Sequence, residues 1–176
     1  MTVVIDVGCA RYGGAQSLEH LVAEFDPVMV YGFDPSNEIV ASAGADWSRV
    51  NPNELRYLTP SGCGVVLEQK AAWIHDGTIG YRADGLGSWV TDLQGAPQVE
   101  CVDMAIFIQD IHDNVPQEEI VLKLDCEGSE YEILRHLINK GVDKLLTLAW
   151  VEWHSPDRGR ARIEEEISCE VVEWRL

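Results

Sequence analysis

Five apolar runs punctuate the chain: Val3–Val7, Val28–Phe33, Gly64–Leu67, Ile120–Leu124 and Leu145–Trp153. They are near-continuous instead of alternating, the pattern of strands buried on both faces of a parallel sheet. Helical spacing fills the gaps between them. Leu18, Leu21, Val22 and Phe25 fall at i, i+3, i+4 and i+7, and Asp26-Pro27 ends that helix. Ile39, Val40 and Ala43 predict a second helix after Asp34-Pro35. Tyr131, Leu134, Leu137 and Ile138 predict a third, with Ser129 and Glu132 as its capping box and Gly141 as its stop. This alternation predicts one α/β domain over residues 1–176: a single doubly wound, mostly parallel sheet with helices on both faces. The middle, Asn51 to Pro116, is less regular. It predicts strands at Val65–Leu67 and Val99–Val102, a short helix at Ile106–Ile111 after Asp103, and a loop or hairpin over Asp76–Ser88. Beyond His154, one helix (Arg160–Ile167) and one strand (Glu170–Trp174) are expected.

Composition narrows the function. With 176 residues, 46% hydrophobic and 24% charged, the chain suits one globular core. Thirteen basic residues against thirty acidic give a formal charge of −17, which repels phosphate backbones and argues against a nucleic-acid partner. Cationic small molecules would be drawn to such a surface. The five cysteines are scattered and form no CxxC pair, so neither zinc nor a disulfide framework is expected. No apolar run approaches the ~20 residues of a membrane span. The opening Thr2-Val3-Val4-Ile5 has no basic flank or cleavage site. A soluble cytoplasmic protein without a membrane partner is expected.

Three segments carry candidate chemistry. The first strand runs into Asp6-Val7-Gly8-Cys9-Ala10-Arg11-Tyr12-Gly13-Gly14 and then a helix. Such a loop brings backbone close to a ligand and aims helix N–H groups at it. A side chain at Gly8 is therefore expected to obstruct the ligand and spare the fold. The spacing of Gly8 and Gly13 is not GxGxxG, which argues against a nicotinamide dehydrogenase, and no Walker lysine follows. Asp34 closes the second run in Phe33-Asp34-Pro35, where an acid can accept from both hydroxyls of a ribose or cap the next helix. Asp125 and Glu127 lie at the end of the fourth run and ahead of the third helix, where open α/β sheets place reactive groups. Glu130 and Glu132 are explained by the helix dipole. On the fifth run, alternation puts Glu152 and His154 on one face, opposite Asp125 and Glu127. A group there could take a hydroxyl proton, with a neutral His154 the better general base. No metal is assigned, and a divalent ion held by Asp125, Glu152 and His154 is the rival arrangement.

With these motifs in hand, the sequence resembles class I methyltransferases, and within them the FkbM-like family. Asp6-x-Gly8 through Gly13 looks like the family's cofactor loop, with Cys9 and Ala10 inside it, and Phe33-Asp34-Pro35 like its second-strand acid. Ala71-Ala72-Trp73 with Asp76-Gly77 resembles the stretch bordering the adenine, and Gly87-Ser88 the turn that follows. Lys123-Leu124-Asp125-Cys126-Glu127-Gly128-Ser129-Glu130 matches the pattern Lys-x-Asp-x-Glu-Gly-x-Glu, the most specific feature. Val151-Glu152-Trp153-His154 is similar to the family's next strand. The resemblance spans Val3 to His154 and implies a Rossmann-like fold shortened at both ends, with S-adenosyl-L-methionine as cofactor. It also implies O-methylation of a hydroxyl on a small-molecule or glycan acceptor. It assigns cofactor binding to Asp6, Gly8, Cys9, Ala10, Gly13, Asp34, Pro35, Ala72 and Asp125, and the acceptor side to Asp125, Glu127, Glu152 and His154. A methyltransferase-like binding protein without turnover, or one completed by a partner, is the alternative; self-association is left open.

Overall fold

The structure is a computed structural model, and it describes residues 1–9, 16–36, 48–51, 53–82, 89–91, 95–155 and 158–175. Its centre is an eight-stranded sheet in the order β12-β11-β10-β1-β2-β5-β4-β3. Six of these strands run parallel: β1 (Thr2–Val7), β2 (Met29–Phe33), β5 (Gly64–Glu68), β10 (Glu119–Leu124), β11 (Leu148–Val151) and β12 (Glu170–Glu173). They arise where the apolar runs predict strands, because Val and Ile on both faces need cover on both faces. Two strands not foreseen, β3 (Ser48–Asn51) and β4 (Glu54–Leu58), extend the sheet antiparallel beyond β5. β3 is the edge strand, and its polar Ser48 and Asn51 suit that place.

Each face has its own core. On one, α1 (Gln16–Phe25) lays Leu18, Leu21, Val22 and Phe25 against Val4, Val30, Val65 and Val121. On the other, α2 (Met104–Asn114) and α3 (Glu130–Lys140) pack Met104, Ile108, Tyr131, Ile133 and Leu134 against Val3, Ile5, Leu122 and Leu124. Ile163 of α4 (Arg160–Glu166) joins this second cluster. The helix expected at Ile39–Ala43 lies outside the described residues, as do Ala10, Gly13, Gly87 and Ser88. Among the described residues, no helix is long and apolar enough to cross a membrane.

The expectation of one sheet is corrected by a second, four-stranded one in the order β6-β9-β7-β8. Its strands are β6 (Ala71–Trp73), β7 (Gly77–Arg82), β8 (Trp89–Thr91) and β9 (Gln98–Asp103). The stretch Asp76–Ser88 thus opens a hairpin, with β7 antiparallel to β8 and β9. Ala71, Ile79 and Cys101 form this sheet's own small core, while Ala72 on the opposite face enters the main one.

Asp103 fastens the two sheets together. Its carboxylate caps α2 by accepting the N–H groups of Ala105 (2.8 Å) and Ile106 (3.3 Å), and it also meets His136 Nε2 of α3 at 2.9 Å. Its own N–H donates to Asp76 Oδ1 at 2.9 Å. Burial alone would raise the Asp103 pKa, but the His136 contact and the two cap bonds lower it. Asp103→Ala is expected to cost ~1–2 kcal/mol for the lost cap. Removal of the His136 partner should add to that. Urea unfolding reads the sum, and a loss below ~0.5 kcal/mol would sink this account.

Candidate functional site

Strand order reverses between β1 and β10, and the crevice outside the carboxyl ends of such neighbours is where open α/β sheets bind ligands. Gly8 leaves β1 at φ +77°, its N–H donating to Phe33 O at 2.9 Å. A Cβ on Gly8 would overlap the carbonyl oxygen of Asp125. The expectation that a side chain here spares the fold is therefore corrected: glycine is required for the approach of β1 to β10 as well as for its left-handed φ. Cys9 is buried, and burial first, then the charges of Asp6 and Asp34, push its thiol well above its ordinary pKa. Asp34, nearly buried after β2, accepts the Ser36 N–H at 2.8 Å through Oδ1, the local turn that its position before Pro35 allows. Ala72 sits in the main core.

The floor of the crevice is a buried charge cluster. Lys123 is fully buried in β10, directly across from Asp6 in β1, which is also fully buried. Its Nζ meets Asp6 Oδ1 at 3.0 Å as an ion pair and stands 3.5 Å from Asp125 Oδ2. It donates to the carbonyls of Gly8 (3.0 Å) and Val7 (3.3 Å). Burial opposes the lysine's charge, but Asp6 and Asp125 outweigh it and raise its pKa. Asp6 is held in turn by the Ser17 hydroxyl of α1, which donates to its Oδ2 at 3.0 Å.

Two turns bring the acidic residues together. The turn after β10 places Glu127 at φ 54° and Gly128 at φ 104°, and the turn after β11 places Ser155 at φ 88°. Glu130 joins them from inside. It is fully buried, its Oε2 accepting the Gly128 N–H and its Oε1 the His154 N–H, each at 2.8 Å. Two expectations change here. Ser129 has helical angles and no side-chain cap bond, so the capping box is absent and Glu130 takes over the turn. The strand spans Leu148–Val151 instead of Leu145–Trp153; Asp143–Leu145 winds into one 3-10 turn and delays its start. Glu152 and His154 thus meet at the strand's exit and not along one strand face.

His154 is the centre of the acidic group. Its Nε2 lies 3.6 Å from Glu127, 3.8 Å from Asp125 and 3.9 Å from Glu152, and its Nδ1 is 3.6 Å from Glu130 Oε1. Glu130 first, against the opposing effect of burial, and then Glu127 and Asp125 lift the imidazole to about 9. A pKa raised this far favours an imidazolium at neutral pH over the neutral general base expected of this ring. Burial and Asp125 raise the Glu152 pKa; burial, then Asp125 and Glu130, raise that of Glu127 against the pull of His154. Glu130 is lowered despite burial, because His154 bonds to it.

The structure thus brings Asp6, Gly8, Asp125, Glu127, Glu152 and His154 to one crevice. Lys123 and Glu130 join them, though spacing gave them no role. One signal for Lys123 was legible: a lysine inside the buried run Ile120–Leu124 needs an acidic partner on the same face of a neighbouring strand, and Asp6 is one. Comparison with family models, with curated proteins and with solved structures found no match for this chain.

A raised histidine pKa stabilises the fold fully below the unfolded value of ~6.5 and stops doing so as pH climbs through the folded value. In metal-free buffer the His154 ring is expected to titrate near pH 9, with stability falling between ~6.5 and 9. Glu130→Gln should move the NMR midpoint back toward the ordinary range. A wild-type midpoint below ~7 would refute the imidazolium assignment.

Proposed function

We propose that this chain is an S-adenosyl-L-methionine-dependent methyltransferase of the FkbM-like, Rossmann-like class I type, acting on a hydroxyl of a small molecule or glycan. The observation that carries the reading is the meeting of Gly8, Asp6 and Asp125 where strand order reverses, with Asp34 at the end of the next strand. Five carboxylates (Asp6, Asp125, Glu127, Glu130 and Glu152) surround two cations, Lys123 and His154. That surplus of negative charge fits a cationic sulfonium.

When bound, the cofactor supplies an electrophilic methyl group. The protein's own part is alignment and proton handling. Asp34 would take the ribose, and Asp125 the side of the crevice beside Gly8. With His154 charged, the proton of an acceptor hydroxyl passes to Glu127 or Glu152, whose raised pKa values make them better bases than ordinary carboxylates. His154 then holds those carboxylates by charge.

Calorimetric titration is the direct test. S-adenosylhomocysteine is expected to bind and NAD not to. Asp34→Asn keeps an oxygen for the Ser36 N–H and should weaken binding by ~1–3 kcal/mol. Equal affinity in the mutant would confine Asp34 to the Ser36 turn. A labelled-methyl screen over glycans and small alcohols separates enzyme from binding module, since a module takes S-adenosylhomocysteine yet transfers nothing.

A second reading is favoured by one spacing: Asp125, Glu152 and His154 each offer a ligand atom, and these lie within 4.8 Å of one another. Mixed carboxylate and imidazole donors suit Mn²⁺ and related divalent ions, and Glu130 stands behind Nδ1 as an orienting carboxylate would. An ion on Nε2 must displace a proton, so Mn²⁺ affinity should rise from pH 7 to pH 9 and vanish in His154→Ala. Methyl transfer undiminished by a chelator, with no Mn²⁺ heat, would remove the ion from the mechanism.

A further inference from the structure

The cofactor reading gives the buried charge of Lys123 no task. It cannot touch a ligand, because it is fully buried and Trp174, itself buried, lies over it with the ring centroid 5.8 Å from Nζ. Yet its partners are the parts of the crevice that a ligand would meet. The ammonium binds the carbonyl oxygens of Val7 and Gly8, where the glycine loop begins, and draws in the carboxylates of Asp6 and Asp125. One cation thus grips both strand ends that flank the crevice. We infer that Lys123 is a positioning residue of the cofactor site, fixing Gly8 and Asp125 relative to one another across the β1–β10 boundary.

A cation serves here where a hydrogen-bonding neutral group would not. Gly8 has its φ at +77° and its backbone packed against the Asp125 carbonyl, so the loop's first peptide has little room to rotate. Its carbonyl oxygen is nevertheless turned to Lys123 at 3.0 Å, which sets the orientation of the Gly8–Cys9 peptide. Asp125, partly exposed, has one oxygen facing Lys123 at 3.5 Å and the other facing His154 at 3.8 Å. Without the lysine, both the carbonyl and the carboxylate lose the charge that orients them. A purely structural lysine, by contrast, would serve only to neutralise Asp6.

These two roles separate in experiments on the full chain, with S-adenosylhomocysteine as probe. The inference rests on the cofactor reading. Wild-type protein that shows no binding would overturn that reading and this inference with it. Lys123→Met alone leaves Asp6 buried and unpaired, and is expected to melt well below wild type. The double variant Asp6→Asn/Lys123→Met removes both charges and should recover most of that loss in melting temperature. Its S-adenosylhomocysteine affinity should stay at least about tenfold weaker than that of Asp6→Asn alone, the size of one lost charge-assisted hydrogen bond. A double variant with restored melting and the affinity of Asp6→Asn alone would leave the cofactor reading standing and overturn the role of Lys123. A measurement on the unmutated chain does not depend on any variant folding. The ¹⁵Nζ resonance of Lys123 should shift on saturation with S-adenosylhomocysteine, although the ligand does not reach it. A resonance that stays in place while calorimetry records binding would also overturn the inference.

Discussion

The pairing of Lys123 with Asp6 is the constraint around which the central sheet is arranged. Two full charges lie in adjacent parallel strands, at register partners, and both are fully buried. Taking either charge alone out of water would cost several kcal/mol, so neither can be accommodated without the other. The pair therefore fixes the register of β1 on β10. A slip of one residue would turn Asp6 to the face carrying Ile5 and Val7 and leave Lys123 facing apolar side chains. Apolar strands such as Val3–Val7 and Ile120–Leu124 pack comparably in several registers, whereas a buried ion pair is satisfied in one.

The same pair sets the conditions of the crevice. Once β1 and β10 are in register, the Asp125 carbonyl lies against Gly8, and no other residue fits there without parting the strands. The chain must then leave β10 through a tight turn, which places Glu127 in the left-handed region. Such a conformation costs ~1–3 kcal/mol and persists only where the surroundings over-determine it. Glu130 supplies that determination, accepting from Gly128 on its own turn and from His154 on the next. Strained backbone and clustered carboxylates, both of which oppose stability, coincide at the carboxyl edge of the sheet with the buried carboxylate that holds them in place. Their coincidence is the physical reason to regard this edge as the functional one.

The parts of the fold that could be read from sequence were those governed by periodicity. The parallel strands, the α1 and α3 faces, Gly141 as a left-handed stop at φ 69° and Asp103 ahead of α2 all follow from local patterns. The second sheet did not, although Val99–Val102 was expected as a strand, because its pairings join residues such as Ala71 and Cys101 that lie far apart in the chain. Of the candidate site, the convergence of several residues was legible and its geometry was not. Asp6, Gly8, Asp125, Glu127, Glu152 and His154 do converge, but which acid would be buried depended on the turn after β10. Sequence gave Ser129 the capping role and Glu130 a dipole role; burial of Glu130 reversed them, since a buried carboxylate takes every N–H within reach. The surroundings of His154 were hidden for the same reason: its ordinary pKa describes a solvated ring, not one with four carboxylates around it.

That enclosure decides what chemistry the crevice can support. Asp125, Glu127 and Glu152 lie so close to His154 that, if all were ionised beside a neutral ring, they would repel one another through a medium poorer in water than the bulk. The cluster has three ways to relieve that repulsion: a proton on His154, a proton shared among the carboxylates, or a cation from outside. The first is favoured by the His154 pKa, raised to about 9, and the upward shifts of Glu127 and Glu152 run in the direction of the second. The third is what a sulfonium or a divalent ion would provide, and a cation arriving there would release some of the protons held in its absence. Binding of a cation and loss of the His154 proton are therefore coupled in this geometry, because each positive charge relieves the repulsion that the other would otherwise relieve.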